Sequence, residues 1–218
     1  MKKNILFIIN PISGGKDKKD IPFLIEKHLD QSKFDATLVK TEREGHAIEL
    51  AIKAVEEDYK ICIAVGGDGT INEVAQGLIH TNIALGIIPM GSGNGFARHL
   101  KIPLKIKKAI QLINEGSPTL IDTALINEKP FLCTSGVGFD AEIAHEFDIA
   151  DGRGLKTYAQ TTFKVLKKFS PSTLTISNNG KQNTEKAFLI TLANASQWGN
   201  NFFISPNAKV NDGKLNCC

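Results

Sequence analysis

Asp68 stands among glycines in the run Gly66-Gly67-Asp68-Gly69-Thr70, directly after five apolar residues, 61–65. Small and β-branched apolar residues in a row read as a buried strand, and Ile71-Asn72-Glu73-Val74 continues beyond the loop as a helix. Glycines lack a Cβ, so backbone N–H groups can approach an anion closely, and the start of the helix adds partial positive charge. A phosphate is the expected ligand. A carboxylate in such a loop repels bare phosphate unless it holds Mg²⁺ or orients a reacting group. Asp68 therefore turns the reading from passive anion binding toward phosphoryl transfer.

Three more elements end strands in the same way. Apolar residues 5–9 run into Asn10-Pro11-Ile12-Ser13-Gly14-Gly15, and residues 83–89 run into Met90-Gly91-Ser92-Gly93-Asn94-Gly95-Phe96-Ala97-Arg98. The alternating stretch 34–39 ends at the hydroxyl of Thr41. Helices are expected over 22–29, 46–57 and from Thr70 through Leu78, with an amphipathic one over 101–115 that turns Ile106, Ala109, Ile110 and Ile113 inward. Strands alternating with helices at this spacing predict a parallel α/β sheet whose ligand lies outside the strands' carboxyl ends. Singly, Thr41 reads as a helix cap, His46 as structural and the first loop as an ordinary turn. Together, the three loops and Thr41 converge on one sheet edge.

Past residue 122 the pattern changes to short strands, expected at 119–126, 131–137, 174–177 and 187–193 and joined by turns such as 127–130 and 178–181. These read as antiparallel. The expected organisation is a Rossmann-like α/β nucleotide domain over 1–124 followed by a mainly antiparallel, β-rich domain over 125–218 that is C-terminally incomplete. A helix over 154–169 aligns Leu155, Tyr158, Ala159, Thr162, Phe163, Leu166 and Phe169 in a stripe expected to be core, with the wall of an acyl-chain cleft as its alternative. The turn 207–215 places Asp212 where its carboxylate and backbone carbonyls can ligate a hard cation.

Composition narrows the class. At 218 residues, 42% hydrophobic and 22% charged, with a net charge of +3, the chain is an ordinary globular protein, too weakly basic to imply nucleic acid and compatible with an anionic membrane surface. Its opening apolar run stops at Asn10-Pro11, too short for a signal sequence, and no stretch has the length of a membrane span. Four cysteines match neither metal-ligand spacing nor a disulfide framework, so a reducing cytoplasm is expected.

The loops Asn10 to Gly15, Gly66 to Val74 and Gly91 to Arg98 resemble, in order and spacing, those of the diacylglycerol kinase catalytic family, particularly the soluble bacterial lipid kinases, with sphingosine and ceramide kinases more distant. The resemblance implies two domains with a lipid headgroup in the cleft between them, ATP and Mg²⁺ as reactants, and diacylglycerol as acceptor. It assigns nucleotide binding to Asn10, Ser13, Gly14, Thr41, Gly66, Gly67, Asp68, Gly69, Thr70, Asn72, Glu73 and Ser92. It assigns metal binding to Lys209 and Lys214 through backbone oxygens and to Asp212 through its carboxylate. Asp68 and Asp122 are implied as catalytic members of an acidic network linked to magnesium, and Asp68→Ala is expected to abolish turnover with the fold largely intact. Implied partners are a lipid substrate at the inner membrane face, with peripheral contact and no nucleic acid; homodimerisation stays open. Two departures stand out: Gly95 replaces an aspartate frequent in the bacterial enzymes, and the glutamate base expected of the family falls beyond residue 218. An NAD kinase shares the Gly-Gly-Asp-Gly-Thr loop and is the first alternative; a non-catalytic nucleotide-binding protein is the second.

Overall fold

The computed structural model describes residues 2–15, 17–150, 152, 155–178 and 180–218. Four strands, β1 (Lys3–Ile9), β2 (Phe34–Lys40), β3 (Ile61–Gly66) and β4 (Ala84–Pro89), form a parallel sheet in the order β2-β1-β3-β4. Helices α1 (Ile21–His28), α2 (His46–Glu56) and α3 (Asp68–Leu78) connect them, and α4 (Gly95–His99) and α5 (Ile106–Glu115) follow β4. Successive strand residues face opposite sides, so β1 feeds two cores. Leu6 and Ile8 pack with Ala47 and Ala51 of α2 and Ile71 and Val74 of α3. Ile5, Phe7 and Ile9 pack with Ile21 and Ile25 of α1 and with Ala109 and Ile110 of α5. Burial on both faces is why the strands read as continuous apolar runs.

The chain leaves β1 in one direction to build β2, then returns past it to build β3. Right-handed crossovers in opposite directions put α1 and α2 on opposite faces. The reversal leaves a crevice at the carboxyl ends of β1 and β3, where open α/β sheets bind ligands.

The second half is the expected antiparallel β structure with two helices inserted. Strands β5 (Ala124–Ile126) and β6 (Lys129–Phe131) form a hairpin whose two turn residues, Asn127 and Glu128, both have positive φ. Next come β7 (Thr134–Gly138), α6 (Phe139–Asp148), α7 (Leu155–Leu166) and the hairpin of β8 (Ser172–Asn178) with β9 (Lys181–Ala187). Strand β10 (Leu189–Ala193), the hairpin of β11 (Gln197–Gly199) with β12 (Phe202–Phe203), and β13 (Asn216–Cys217) complete it. Strands β13, β10 and β7 pair antiparallel in that order.

Several elements differ from their sequence expectation. The strand expected over 119–126 shrinks to β5, because Asp122 is tied instead to Val210, whose carbonyl accepts its N–H at 2.6 Å. The strand over 131–137 is interrupted at Leu132 and Cys133, where the Cys133 carbonyl accepts the N–H groups of Asn194 and Ala195. Helix α5 starts at Ile106, leaving Lys101, at φ 57°, and Lys105 outside it. On α7 the buried residues are Thr161 and Val165, whereas Phe163 and Leu166 of the expected core stripe face solvent. Gly154 and the turn residue Asn179 lie outside the described residues.

Helices α2 and α3 cross at Gly77, where a Cβ would stand 2.6 Å from the Ala51 Cβ and 2.8 Å from the Ile48 carbonyl oxygen. Forcing a methyl group into that crossing should cost about 1–3 kcal/mol. Urea denaturation of Gly77→Ala should show that loss, and a variant as stable as wild type would mean the helices are free to separate.

Candidate active site

The four parallel strands end together. Their register places Ile9 beside both Val65 and Lys40, and Gly66 beside Pro89. Asn10 and Thr41 therefore follow level with Gly66 and Pro89, and Gly67 and Met90 come one residue later. Backbone hydrogen bonds extend the sheet into the loops: Asn10 N–H donates to the Val65 carbonyl (3.0 Å), Thr41 N–H to Ile9 (2.9 Å) and Met90 N–H to Gly66 (2.6 Å).

The three glycine loops approach one another closely, backbone against backbone, at two glycines. Gly14 has φ 65°, and a Cβ there would lie 2.1 Å from the Met90 carbonyl oxygen. A Cβ on Gly91 would lie 2.4 Å from the Gly67 Cα. Gly69 differs: nothing lies within 4 Å of its ideal Cβ position, so space is open above it.

Gly69 itself lies in the first turn of α3. The first intrahelical bond runs from Ile71 N–H to the Gly67 carbonyl, so the N–H groups of Asp68, Gly69 and Thr70 have no helical acceptor. These amides and the helix dipole form an anion site. Asn10 Nδ2 donates to Thr70 Oγ1 at 3.0 Å, which joins the first loop to the second and leaves the Thr70 hydroxyl its own proton to donate. Ser13 Oγ donates to the Asn10 carbonyl at 3.3 Å, and Asn10 Oδ1 accepts Ile12 N–H at 3.1 Å. Thr41 is buried at the edge of this group, and Glu73 and Ser92 are half-buried on α3 and in the third loop.

The half-buried Asp68 joins the second loop to the third. Its Oδ2 accepts Gly95 N–H at 3.1 Å and its Oδ1 accepts Phe96 N–H at 2.9 Å, both from the first turn of α4. The carboxylate answers a helix start, which is how a negative charge is tolerated beside a phosphate loop. The third loop is also braced from within, by a residue that sequence reasoning left out. Buried Asn94, at φ 51°, accepts Gly91 N–H on Oδ1 (2.8 Å) and donates from Nδ2 to the Gly91 carbonyl (2.9 Å). An asparagine between two glycines was the available signal, since Asn tolerates the left-handed region.

The second half walls the loop. A Cβ on Gly95 would meet the Trp198 carbonyl oxygen at 2.9 Å and the Gln197 carbonyl oxygen at 3.0 Å, so a larger side chain, such as the aspartate implied by the family resemblance, has no room here. Gly93 O accepts Asn200 N–H (3.1 Å) and Arg98 Nε–H (3.1 Å). His99 Nδ1 accepts Ser196 N–H at 3.1 Å and lies 2.9 Å from Ser196 Oγ; its burial lowers its pKa from the ordinary 6.5. Desolvation, with the Asp68 charge second, pushes the Cys133 thiol well above its ordinary range, so that thiol stays protonated.

Other expected residues sit apart from the loops. Asn72 turns to the β5–β6 hairpin, donating to the Pro130 carbonyl at 3.2 Å. Asp122 is anchored to the 209–214 turn: its Oδ2 accepts Gly213 N–H at 2.7 Å, and its carbonyl accepts Asn194 Nδ2–H at 3.0 Å. Asp68 and Asp122 thus belong to different loops. Lys209, Asp212 and Lys214 are exposed in that turn, where Asp212 Oδ1 accepts Lys214 N–H at 3.1 Å. Among the described residues no cluster of three His, Cys, Asp or Glu side chains is placed to hold a metal. The turn offers one carboxylate and backbone carbonyls, an all-oxygen donor set that suits a hard cation.

Residues 4–126 match the model of the diacylglycerol kinase catalytic domain. The chain belongs to that family. Residues 134–218 match a second model, the YegS C-terminal NAD kinase beta sandwich-like domain. A diacylglycerol kinase of Staphylococcus saprophyticus is 31% identical over 218 residues, spanning 98% of this chain and 71% of the relative. An uncharacterized Synechocystis protein is 34% identical over 203 residues, covering 87% of this chain but 46% of that relative, so the chain spans under half of it. The crystal structure of a putative diacylglycerol kinase from Bacillus anthracis superposes with a TM-score of 0.78 at 25% identity, covering 99% of this chain and 74% of that one. This kinase family implies ATP and usually a divalent metal.

Two stability measurements test the site's construction. Gly91→Ala should lose about 1–3 kcal/mol because its methyl meets backbone, whereas Gly69→Ala should be neutral or slightly stabilising in a helix; equal losses would refute the loop-to-loop contact. A His99 pKa held below its unfolded value means the folded state binds fewer protons. Its contribution is full above about pH 6.5 and fades as pH falls through that value toward the lowered one. Wild type should therefore lose more stability than His99→Asn between about pH 7 and about pH 5.5, and parallel losses would remove His99 from the account.

Proposed function

We infer that the glycine-loop site transfers the γ-phosphoryl group of ATP to a lipid hydroxyl, with diacylglycerol as acceptor and phosphatidic acid as product. The observation that carries this reading is the meeting of three phosphate-type loops at the start of α3, with Asp68 held between two of them. The family's lipid-kinase members support the acceptor class, and the name of the Staphylococcus relative supports diacylglycerol within it. In the proposed division of labour, residues 1–124 bind the nucleotide and residues 125–218 supply the lipid side.

A divalent cation carried with ATP would supply neutralisation of phosphate charge. The chain's own part is mostly positioning and electrostatic stabilisation. Amides of Asp68, Gly69 and Thr70 receive phosphate oxygens, and the Thr70 hydroxyl, oriented by Asn10, adds a donor. Gly14, Gly66, Gly67 and Ser92 shape the rest of the cradle. Asp68, with lone pairs remaining on both oxygens, orients the reacting groups. The lipid oxygen forms its bond to phosphorus as the bond to ADP breaks, and a general base takes the hydroxyl proton. Lys209, Asp212 and Lys214 would hold a structural cation that steadies the turn carrying Asp122. A lipid acceptor requires the protein to meet a membrane, and in this reading it does so by peripheral contact at the inner membrane face; no helix among the described residues is long and apolar enough to cross a membrane.

Transfer of labelled phosphate from ATP into dispersed diacylglycerol, phosphatidylglycerol, sphingosine and ceramide, with NAD as a further acceptor, tests the reading. Labelled diacylglycerol is expected. Labelled NAD would replace the lipid-kinase reading, and saturable ATP binding with no transfer would leave a non-catalytic binder. Asp68→Ala should lose transfer by at least about 100-fold; with the fold largely intact, it should also lose about 1–3 kcal/mol, because it orphans the amides of Gly95 and Phe96. Gly69→Ala should fold normally yet bind ATP at least about tenfold more weakly, its methyl filling the open space above the loop.

A further inference from the structure

The β11–β12 hairpin is fixed to the site by its backbone and open to solvent by its side chains. Its two turn residues, Asn200 and Asn201, have φ of 49° and 65°, the tight turn that suits the twist of paired strands. Inward, Gly199, at φ 125°, lies so close to the third glycine loop that a Cβ would stand 2.8 Å from the Gly93 Cα. Outward, Trp198, Phe202 and Phe203 are 36%, 67% and 53% exposed. Consecutive strand residues face opposite sides, and both phenylalanines are more than half exposed, so neither side of the ribbon is covered there.

The charge around the hairpin is one-sided. Residues 74–114 and 186–211, the two stretches that meet here, contain no Asp or Glu. Arg98 stands at the hairpin itself, its Nη1 donating to Asn201 Oδ1 at 3.3 Å. The carboxylate behind it, Asp68, is taken up by the Gly95 and Phe96 amides. Exposed aromatic rings beside Arg98, on two stretches without acidic side chains and with the neighbouring Asp68 carboxylate already bound by backbone amides, complement the headgroup level of an anionic bilayer, where aromatic side chains concentrate and cations are attracted.

We propose that this hairpin seats the protein on an anionic lipid surface, placing Trp198, Phe202 and Phe203 at the boundary between headgroups and acyl chains. Because its backbone lies directly on the third glycine loop, docking by this tip presents the phosphate site to a hydroxyl in that surface. The inference takes its purpose from the lipid-kinase reading, but its readout needs no catalysis.

Trp198 is the single tryptophan of the chain, so its emission reports this hairpin alone. The full chain, without nucleotide, is titrated with vesicles of equimolar phosphatidylglycerol and phosphatidylcholine. Expected are a blue shift of emission and quenching by phosphatidylcholine brominated near the headgroup end of its acyl chains. The double variant Phe202→Ser, Phe203→Ser should keep the wild-type thermal transition and bind vesicles at least about tenfold more weakly. Vesicle binding with unmoved Trp198 emission would overturn the proposal by locating the contact elsewhere. Absence of binding, or equal binding by a folded double variant, would overturn it too. Binding through the hairpin, together with no transfer of label from ATP to any lipid in the separate acceptor assay, would instead sink the lipid-kinase reading and leave the anchor standing.

Discussion

Backbone packed on backbone is possible only where side chains are given up, and the site depends on that exchange. Gly14 lies against the Met90 carbonyl, and Gly67 lies against Gly91. Each contact is closer than a Cβ would permit, so the glycines act as spacers of zero thickness that draw three loops around one volume. The parallel sheet makes the meeting geometrically available by ending four strands together. Two continuous cores, one on each sheet face, hold those strand ends still. Orientation of polar groups at the edge is secondary to this closure: Asn10 reaches Thr70, and Asn94 reaches Gly91, because the loops are already in contact.

Asp68 shows how one side chain can serve position and charge together. A carboxylate next to orphaned helix amides would compete with an incoming phosphate for them. Here it is turned away, toward the first turn of another helix, so the α3 amides stay available and the α4 amides are satisfied. The same two hydrogen bonds fix the separation between the second and third loops. Removing the carboxylate therefore changes the shape of the loops as well as their charge.

The first half of the fold was legible because its physics is local and repetitive. Buried parallel strands are apolar throughout, and glycine loops follow them without interruption, so β1, β3 and β4 and their loops stand out in the sequence. The second half was less so. Strand β9, Lys-Gln-Asn-Thr-Glu-Lys-Ala, is polar along its length and exposed except at its end, so no alternation marks it. Helix α6 carries Phe139, Ile143 and Phe147 at a spacing of four, a signal present but masked by its nearness to short strands. The α7 stripe misled because a helical period gives a face without saying whether that face meets protein or solvent. Within the site, motif residues were readable by type, but Asn72 and Asp122 are bound to Pro130 and Gly213, partners 58 and 91 residues away that no local pattern encodes.

The third glycine loop also has a history along the chain. Its inner wall, Gly67 and Asp68, is synthesised before it, and the sheet and its helices are complete by residue 115. Its outer wall, Gln197 to Asn200, is synthesised about a hundred residues later. Contacts between near neighbours in sequence form early, and those that close long loops form late. A chain emerging from the ribosome can thus bury its first core while Gly93 and Gly95 still face water. The parallel sheet and the core beneath α1 and α5 are complete first, whereas the core beneath α2 and α3 still awaits Leu132, Ala195 and Val210, so a nascent chain with a settled sheet lacks the outer wall of its third loop.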